Sequence, residues 1–107
     1  MIHVLAALEV DPNGREEFLE LFRALVPTVL AEEGCISYTP AIDVDSGIET
    51  QDALRDNVVM VVEQWESIEA LKTHLAAPHM VAFRESASHL LRGLKLQVCE
   101  DQGPQNA

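Results

Sequence analysis

The sequence predicts an α+β fold in which two split β-α-β units combine as β-α-β-β-α-β, giving a four-stranded antiparallel sheet with helices on one face. Three observations carry that expectation. An alternating apolar segment opens the chain, a stripe of apolar residues at three- and four-residue steps follows it, and a nearly continuous apolar run stands mid-chain. The length of 107 residues suits one domain, expected over residues 1–100 with a polar tail at 101–107.

In the first segment Ile2, Val4, Ala6, Leu8 and Val10 share one face of a strand, with His3, Leu5, Ala7 and Glu9 on the other. Asp11-Pro12-Asn13-Gly14 breaks that strand and offers Asp11 or Asn13 as a helix N-cap. Glu16 and Glu17 then suit the positive end of the helix dipole. Phe18, Leu21, Phe22, Leu25, Val26 and Val29 form one broad apolar stripe over about five helical turns. Pro27 falls inside it, where a kink is expected over 24–27, and Gly34 is the natural stop.

A second strand is expected over 35–39, and Pro40 just beyond it argues for a sheet edge. Residues 43–57 are polar and acidic, with Gly47 as a turn. So long a connection reads as a lid, an interface arm or a solvated hairpin extension. Val58–Trp65 is the third strand, apolar on both faces. Ser67 caps a short helix through Leu75, with Ile68, Leu71 and Leu75 inward. Pro78 opens another helix, expected to run to Leu91 with Met80, Phe83, Ala87, Leu90 and Leu91 as its stripe and Gly93 as its end. Leu94, Leu96 and Val98 alternate with Lys95, Gln97 and Cys99 in a final strand. This order is ferredoxin-like. Its helices cover one sheet face, yet the third strand is apolar on both, so a second protomer is expected over the free face.

Seven Lys and Arg against 18 Asp and Glu leave a formal net charge of 7 − 18 = −11. A surface that acidic repels phosphate backbones and anionic headgroups, so neither nucleic acid nor a membrane surface is an expected partner. No apolar run approaches the roughly 18–20 residues of a membrane span. Met1-Ile-His-Val lacks the basic start of a signal peptide, and the expected location is cytoplasmic. Gly34, Gly47 and Gly93 stand alone at expected element ends, so no phosphate-cradling loop speaks for a nucleotide or flavin. Cys35 and Cys99 lack metal-motif spacing and are expected as buried, inert thiols at opposite sheet edges. His3, His74, His79 and His89 form no HExxH or His/Cys cluster, and Pro78 interrupts the step from His74 to His79. No metal is expected.

His89 lies opposite the helical stripe and reads as solvated. His79 sits at the rim of the stripe and at a helix N-terminus, where partial burial and the dipole both disfavour the protonated ring. It is therefore able to accept a proton. His74 flanks Leu71 on the preceding helix. Trp65, Tyr38, Met60 and Phe83 are the aromatic and soft side chains from which a pocket would be built, although each also reads as plain core.

Three stretches together are distinctive: Val26-Pro-Thr-Val-Leu-Ala-Glu-Glu-Gly-Cys35, Val59-Met-Val-Val-Glu-Gln-Trp-Glu-Ser67 and His74-Leu-Ala-Ala-Pro-His-Met80. With them the chain resembles the antibiotic biosynthesis monooxygenase family, and within it the YgiN-type quinol monooxygenases, from Ile2 to Cys99. The resemblance implies a dimeric α+β barrel with a pocket between each sheet and its helices. It also implies oxidation of quinols or related aromatic phenols by dioxygen without metal, haem or flavin. On that reading His79, in the Pro-His element, is the expected proton acceptor and His74 the second, with Trp65, Tyr38, Met60 and Phe83 as pocket walls. Relatives that degrade haem pair a matching Trp with an Asn and a His, but Ala7 and Arg84 stand near those positions here. Haem degradation is not expected. An isomerase acting on a small carbonyl compound and a non-catalytic dimer that binds a small molecule stay open as alternatives.

Overall fold

The computed structural model describes residues 1–104. Strand β1 (Ile2–Val10) leads into helix α1 (Arg15–Leu30), followed by β2 (Cys35–Ala41), β3 (Val58–Trp65), α2 (Ile68–Ala76), α3 (Pro78–Ala87) and β4 (Leu91–Glu100). The strands pair antiparallel in the order β2-β3-β1-β4, which is the expected ferredoxin-like sheet with β2 and β4 at its edges. Residues 105–107 of the expected tail lie outside the described residues.

Period-two alternation sets the faces. Ile2, Val4, Ala6 and Val10 are buried, and across the ladder Val59, Val61, Glu63 and Trp65 share their side. Phe18, Leu19, Phe22, Leu25 and Val29 of α1 pack onto that face. The helices lie over β2 and β3. The opposite face carries Leu5 and Val62, 44% and 40% exposed.

Several local details depart from the sequence reading. The N-cap of α1 is Gly14, with no side-chain cap from Asp11 or Asn13. The backbone supplies the closure instead, because Gly14 N–H donates to the Asp11 carbonyl at 2.8 Å. The helix continues through Pro27 as its stripe requires. Strand β2 runs on through Pro40, which its edge position permits. On α2, capped by Ser67 as expected, the inward residues are Leu71 and His74, while Ile68 and Leu75 are exposed. Helix α3 stops at Ala87, so Leu91 and Gly93 belong to β4 and not to a helix end. The reason is tertiary: β1 pairs as far as Val10, and its partner there is Leu91. Cys35 is half-buried, but Cys99 is exposed because nothing among the described residues covers the outer face of β4.

The connection between β2 and β3 is a defined coil. Asp43 holds Arg55 by a two-pronged ion pair, with Arg55 Nη2 to Oδ1 at 2.8 Å and Nε to Oδ2 at 2.9 Å. This contact keeps the Asp43 carboxyl down at about 2. Among the described residues, no helix is long and apolar enough to cross a membrane.

Candidate active site

A cavity of about 350 Å³ lies between the helix-facing side of the sheet and helices α1, α2 and α3. Phe18 and Phe22 of α1, Met80 and Phe83 of α3, and Val61, Leu94 and Leu96 of the sheet make its walls apolar. The aromatic rings brace one another. Phe83 meets Phe18 and Phe22 edge-on at 5.8 and 5.7 Å, and Phe22 stacks on Tyr38 at 5.4 Å.

Polar groups enter this wall at Tyr38, Glu63, His74 and Arg84. Tyr38 and Glu63 are cross-strand partners on β2 and β3, so their side chains leave the sheet on the same side. Trp65 Nε1–H donates to Glu63 Oε1 at 2.9 Å, and no other partner falls to that carboxyl among the described residues. Burial pushes the Glu63 carboxyl up to about 7, against the pull of the Trp65 hydrogen bond. Burial likewise lifts the Tyr38 phenol far above its usual range, helped by the Glu63 and Glu32 carboxylates. Its hydroxyl has no hydrogen-bond partner among the described residues. Arg84 turns back, donating Nη2–H to the Leu75 carbonyl at 2.9 Å.

His74 is the most enclosed polar residue of the site, 1% exposed. Its ring lies 4.7 Å from that of Trp65 and 5.3 Å, edge-on, from that of Tyr38. Its Nδ1 stands 2.8 Å from Glu32 Oε2, an acceptor-only group, so Nδ1 carries the proton. Nε2 has no protein partner among the described residues, and the ring borders the cavity. Burial lowers the affinity of His74 for a second proton and outweighs the raising effect of Glu32. The ring is thus neutral at neutral pH, with an unprotonated nitrogen left over.

Glu32 owes its position to the turn after α1. Gly34 there has φ +83°, and a Cβ on it would meet the Ala70 Cβ at 2.6 Å. The turn therefore presses against α2, one helix turn before His74. Glu32 also receives His79 Nε2–H at 2.8 Å, so one carboxylate oxygen joins both rings. The donor atoms of Glu32, His74 and His79 all lie within 4.8 Å of one another.

The structure therefore brings Tyr38, His74 and Phe83 to the cavity, and it does not bring the others there. His79, 30% exposed, does not line the cavity, and among the described residues its ring bonds to the same Glu32 oxygen that holds His74. Trp65 is fully buried beneath the His74 ring and does not line the cavity. Met60 pairs with Ala7 and so points to the opposite sheet face. His89 is solvated and bonded to Glu17, as its wheel position implies. No residue of 43–57 lines the cavity, so that segment is not its lid here.

Two carboxylates escaped the sequence reading. Glu63 was visible by parity, since it falls between Val61 and Trp65 on the buried side of β3. Glu32 left no such trace, because its role depends on a fold contact across 42 residues.

The sequence profile for "Antibiotic biosynthesis monooxygenase" matches residues 1–86. The chain is 43% identical over 102 residues to "Probable quinol monooxygenase YgiN" of Escherichia coli (strain K12), covering 94% of this chain and 97% of that protein. Rv0793 from Mycobacterium tuberculosis superposes with a TM-score of 0.77 at 24% identity, covering 98% of each chain. PA3566 from Pseudomonas aeruginosa has the same TM-score and identity, covering 95% of this chain and 94% of its own. These two likenesses speak for the fold, and the profile and the E. coli relative place the sequence: the chain belongs to the antibiotic biosynthesis monooxygenase family.

Proposed function

We propose that this protein oxidises a quinol or a related aromatic phenol with dioxygen in the cavity between helices and sheet, without an organic cofactor or a metal in the reaction. The observation that carries the reading is the His74 ring, locked by Glu32 at Nδ1 and bordering an apolar, ring-sized space. The name of the 43% identical E. coli relative supports the substrate class.

The chemistry follows from those groups. A quinol becomes a strong one-electron donor once a hydroxyl loses its proton, and His74 Nε2 is placed to take it. Stacked phenyl rings hold a flat substrate and keep water from the radical pair that forms when the anion reduces dioxygen. A quinol with one free ring C–H and one dioxygen give a hydroxyquinone and one water, so atoms and electrons balance with no further reductant. Glu63, with a carboxyl near neutrality in its titration, and the Tyr38 hydroxyl serve to hold the substrate oxygens. His79 steadies Glu32 and does not itself meet substrate.

The same reading takes the protein as a homodimer whose second copy covers the open sheet face around Leu5 and Val62. Light scattering at micromolar concentration tests that. Oxygen uptake with a reduced naphthoquinone, corrected for spontaneous oxidation, tests the reaction. Enzyme-dependent uptake with a hydroxyquinone product supports it. Conversion of a carbonyl substrate without oxygen would mark an isomerase, and saturable binding without turnover a binding protein.

A further inference from the structure

Glu32, His74 and His79 come from three separate places in the chain: the turn after α1, the last turn of α2 and the first turn of α3. They nevertheless converge on one point. Glu32 Oε2 stands 2.8 Å from His74 Nδ1 and 2.8 Å from His79 Nε2, and the set lies within 4.8 Å overall. We propose that these three side chains form a binding site for one divalent transition-metal cation of the zinc class, coordinated by Glu32 Oε2, His74 Nδ1 and His79 Nε2.

Donor type, number and spacing all fit. Two imidazoles and one carboxylate form a set that zinc and cobalt(II) accept readily. Zinc bonds of about 2.0–2.2 Å put tetrahedral ligands roughly 3.4 Å apart, so each 2.8 Å contact opens by about 0.6 Å while the two imidazole nitrogens, within 4.8 Å of each other, draw together. Glu32, on a flexible stem and 13% exposed, has the freedom to do so. His79 is 30% exposed, which gives the ion a way in and leaves room for a water as fourth ligand. A net charge of −11 favours cations throughout. Arg84 opposes, since its charge reaches His74.

The ion would sit behind His74, away from the cavity. A metal on Nδ1 moves the neutral ring's one proton to Nε2. Nε2, which has no protein partner among the described residues, then donates where it was free to accept. This consequence alone rests on the proposed reaction, in which Nε2 takes the substrate proton: metal uptake would arrest oxidation by changing a tautomer, without touching substrate.

Chelator-stripped full-length protein, free of any polyhistidine tag, is titrated with Zn²⁺ and Co²⁺. The expected result is one equivalent per chain, cobalt ligand-field bands without a thiolate charge-transfer band, and imidazole ¹⁵N shifts at His74 Nδ1 and His79 Nε2. Glu32→Gln, which keeps the shape and a hydrogen-bond acceptor, and His79→Ala each weaken binding by more than about tenfold. His3→Ala and His89→Ala leave it unchanged. No saturable binding, or binding that Glu32→Gln and His79→Ala leave unmoved, overturns the site. Zn²⁺ should also suppress oxygen uptake in step with occupancy. A protein that takes up one ion yet oxidises no quinol retains the metal site and removes the reaction reading.

Discussion

A single rung of the sheet crosses all four strands on the helix side: Tyr38, Glu63, Val4 and Val98. At the β2 end Tyr38 is 5% exposed, although it carries a hydroxyl. At the β4 end Val98 is 39% exposed, although it is wholly apolar, and Leu96 and Leu94 beside it reach 46% and 61%. Side-chain polarity would have predicted the reverse. The difference lies in cover: the helices pack mainly over β2 and β3 and leave Leu94, Leu96 and Val98 of β4 exposed. Burial by helices, not strand composition, decides where a carboxyl such as Glu63 becomes a perturbed acid and where a leucine stays at the surface.

The largest effect expected from breaking the covered end is His74→Ala. Loss of a positioned base should lower kcat for quinol oxidation by about 10²–10⁴-fold in an oxygen-uptake assay. Unchanged turnover would mean that the reaction does not use this end of the rung.

Glu63→Gln comes next. An unfolded glutamate titrates near 4.5, whereas Glu63 in the fold is pushed up to about 7. Between those values the folded chain holds a proton that the unfolded chain has released. Stability is therefore full below the unfolded value and declines as pH rises towards 7. The glutamine variant escapes that decline and should be more stable than the parent by about 2–3 kcal/mol at pH 8, with the gap closing near pH 4. Urea unfolding at the two pH values reads it.

Val61→Ala and Leu96→Ala sharpen the contrast directly, since they are neighbours across the ladder through Ala6. Val61, 2% exposed, should cost about 2 kcal/mol on truncation, and the larger Leu96 less than half of that. A large, concentration-dependent loss for Leu96→Ala would show that a second copy covers β4. Tyr38→Phe should leave the fold intact through its stack on Phe22 and raise KM by a factor of about 5–10. Asp43→Asn, in the exposed connection, should accelerate amide exchange around Arg55 and leave turnover and the unfolding midpoint in place.

The strands were legible because alternation is a local property: β1 and β3 fall where Ile2–Val10 and Val58–Trp65 place them. The end of α3 was not, because Leu90 and Leu91 fit a helical stripe and a strand start equally well until β1 supplies the partner. At the site, Tyr38, His74 and Phe83 were found by residue type. Yet the ranking of His79 above His74 followed helix position, whereas contacts from distant chain segments place His74, and not His79, in the cavity wall. Glu32 and Glu63 were hidden among the acidic residues of a strongly charged chain. Only packing tells a buried carboxylate from a solvated one.

Trp65 is the chain's one tryptophan. Its indole N–H is committed to Glu63, and its ring lies 4.7 Å from His74. Its emission therefore originates beside Glu63 and His74, two titrating groups of the cavity wall. A protonated imidazole quenches indole strongly and a neutral one weakly, so intrinsic fluorescence becomes a label-free optical record of the ionisation state of the site. The protein carries its own spectroscopic reporter, read from a single tryptophan.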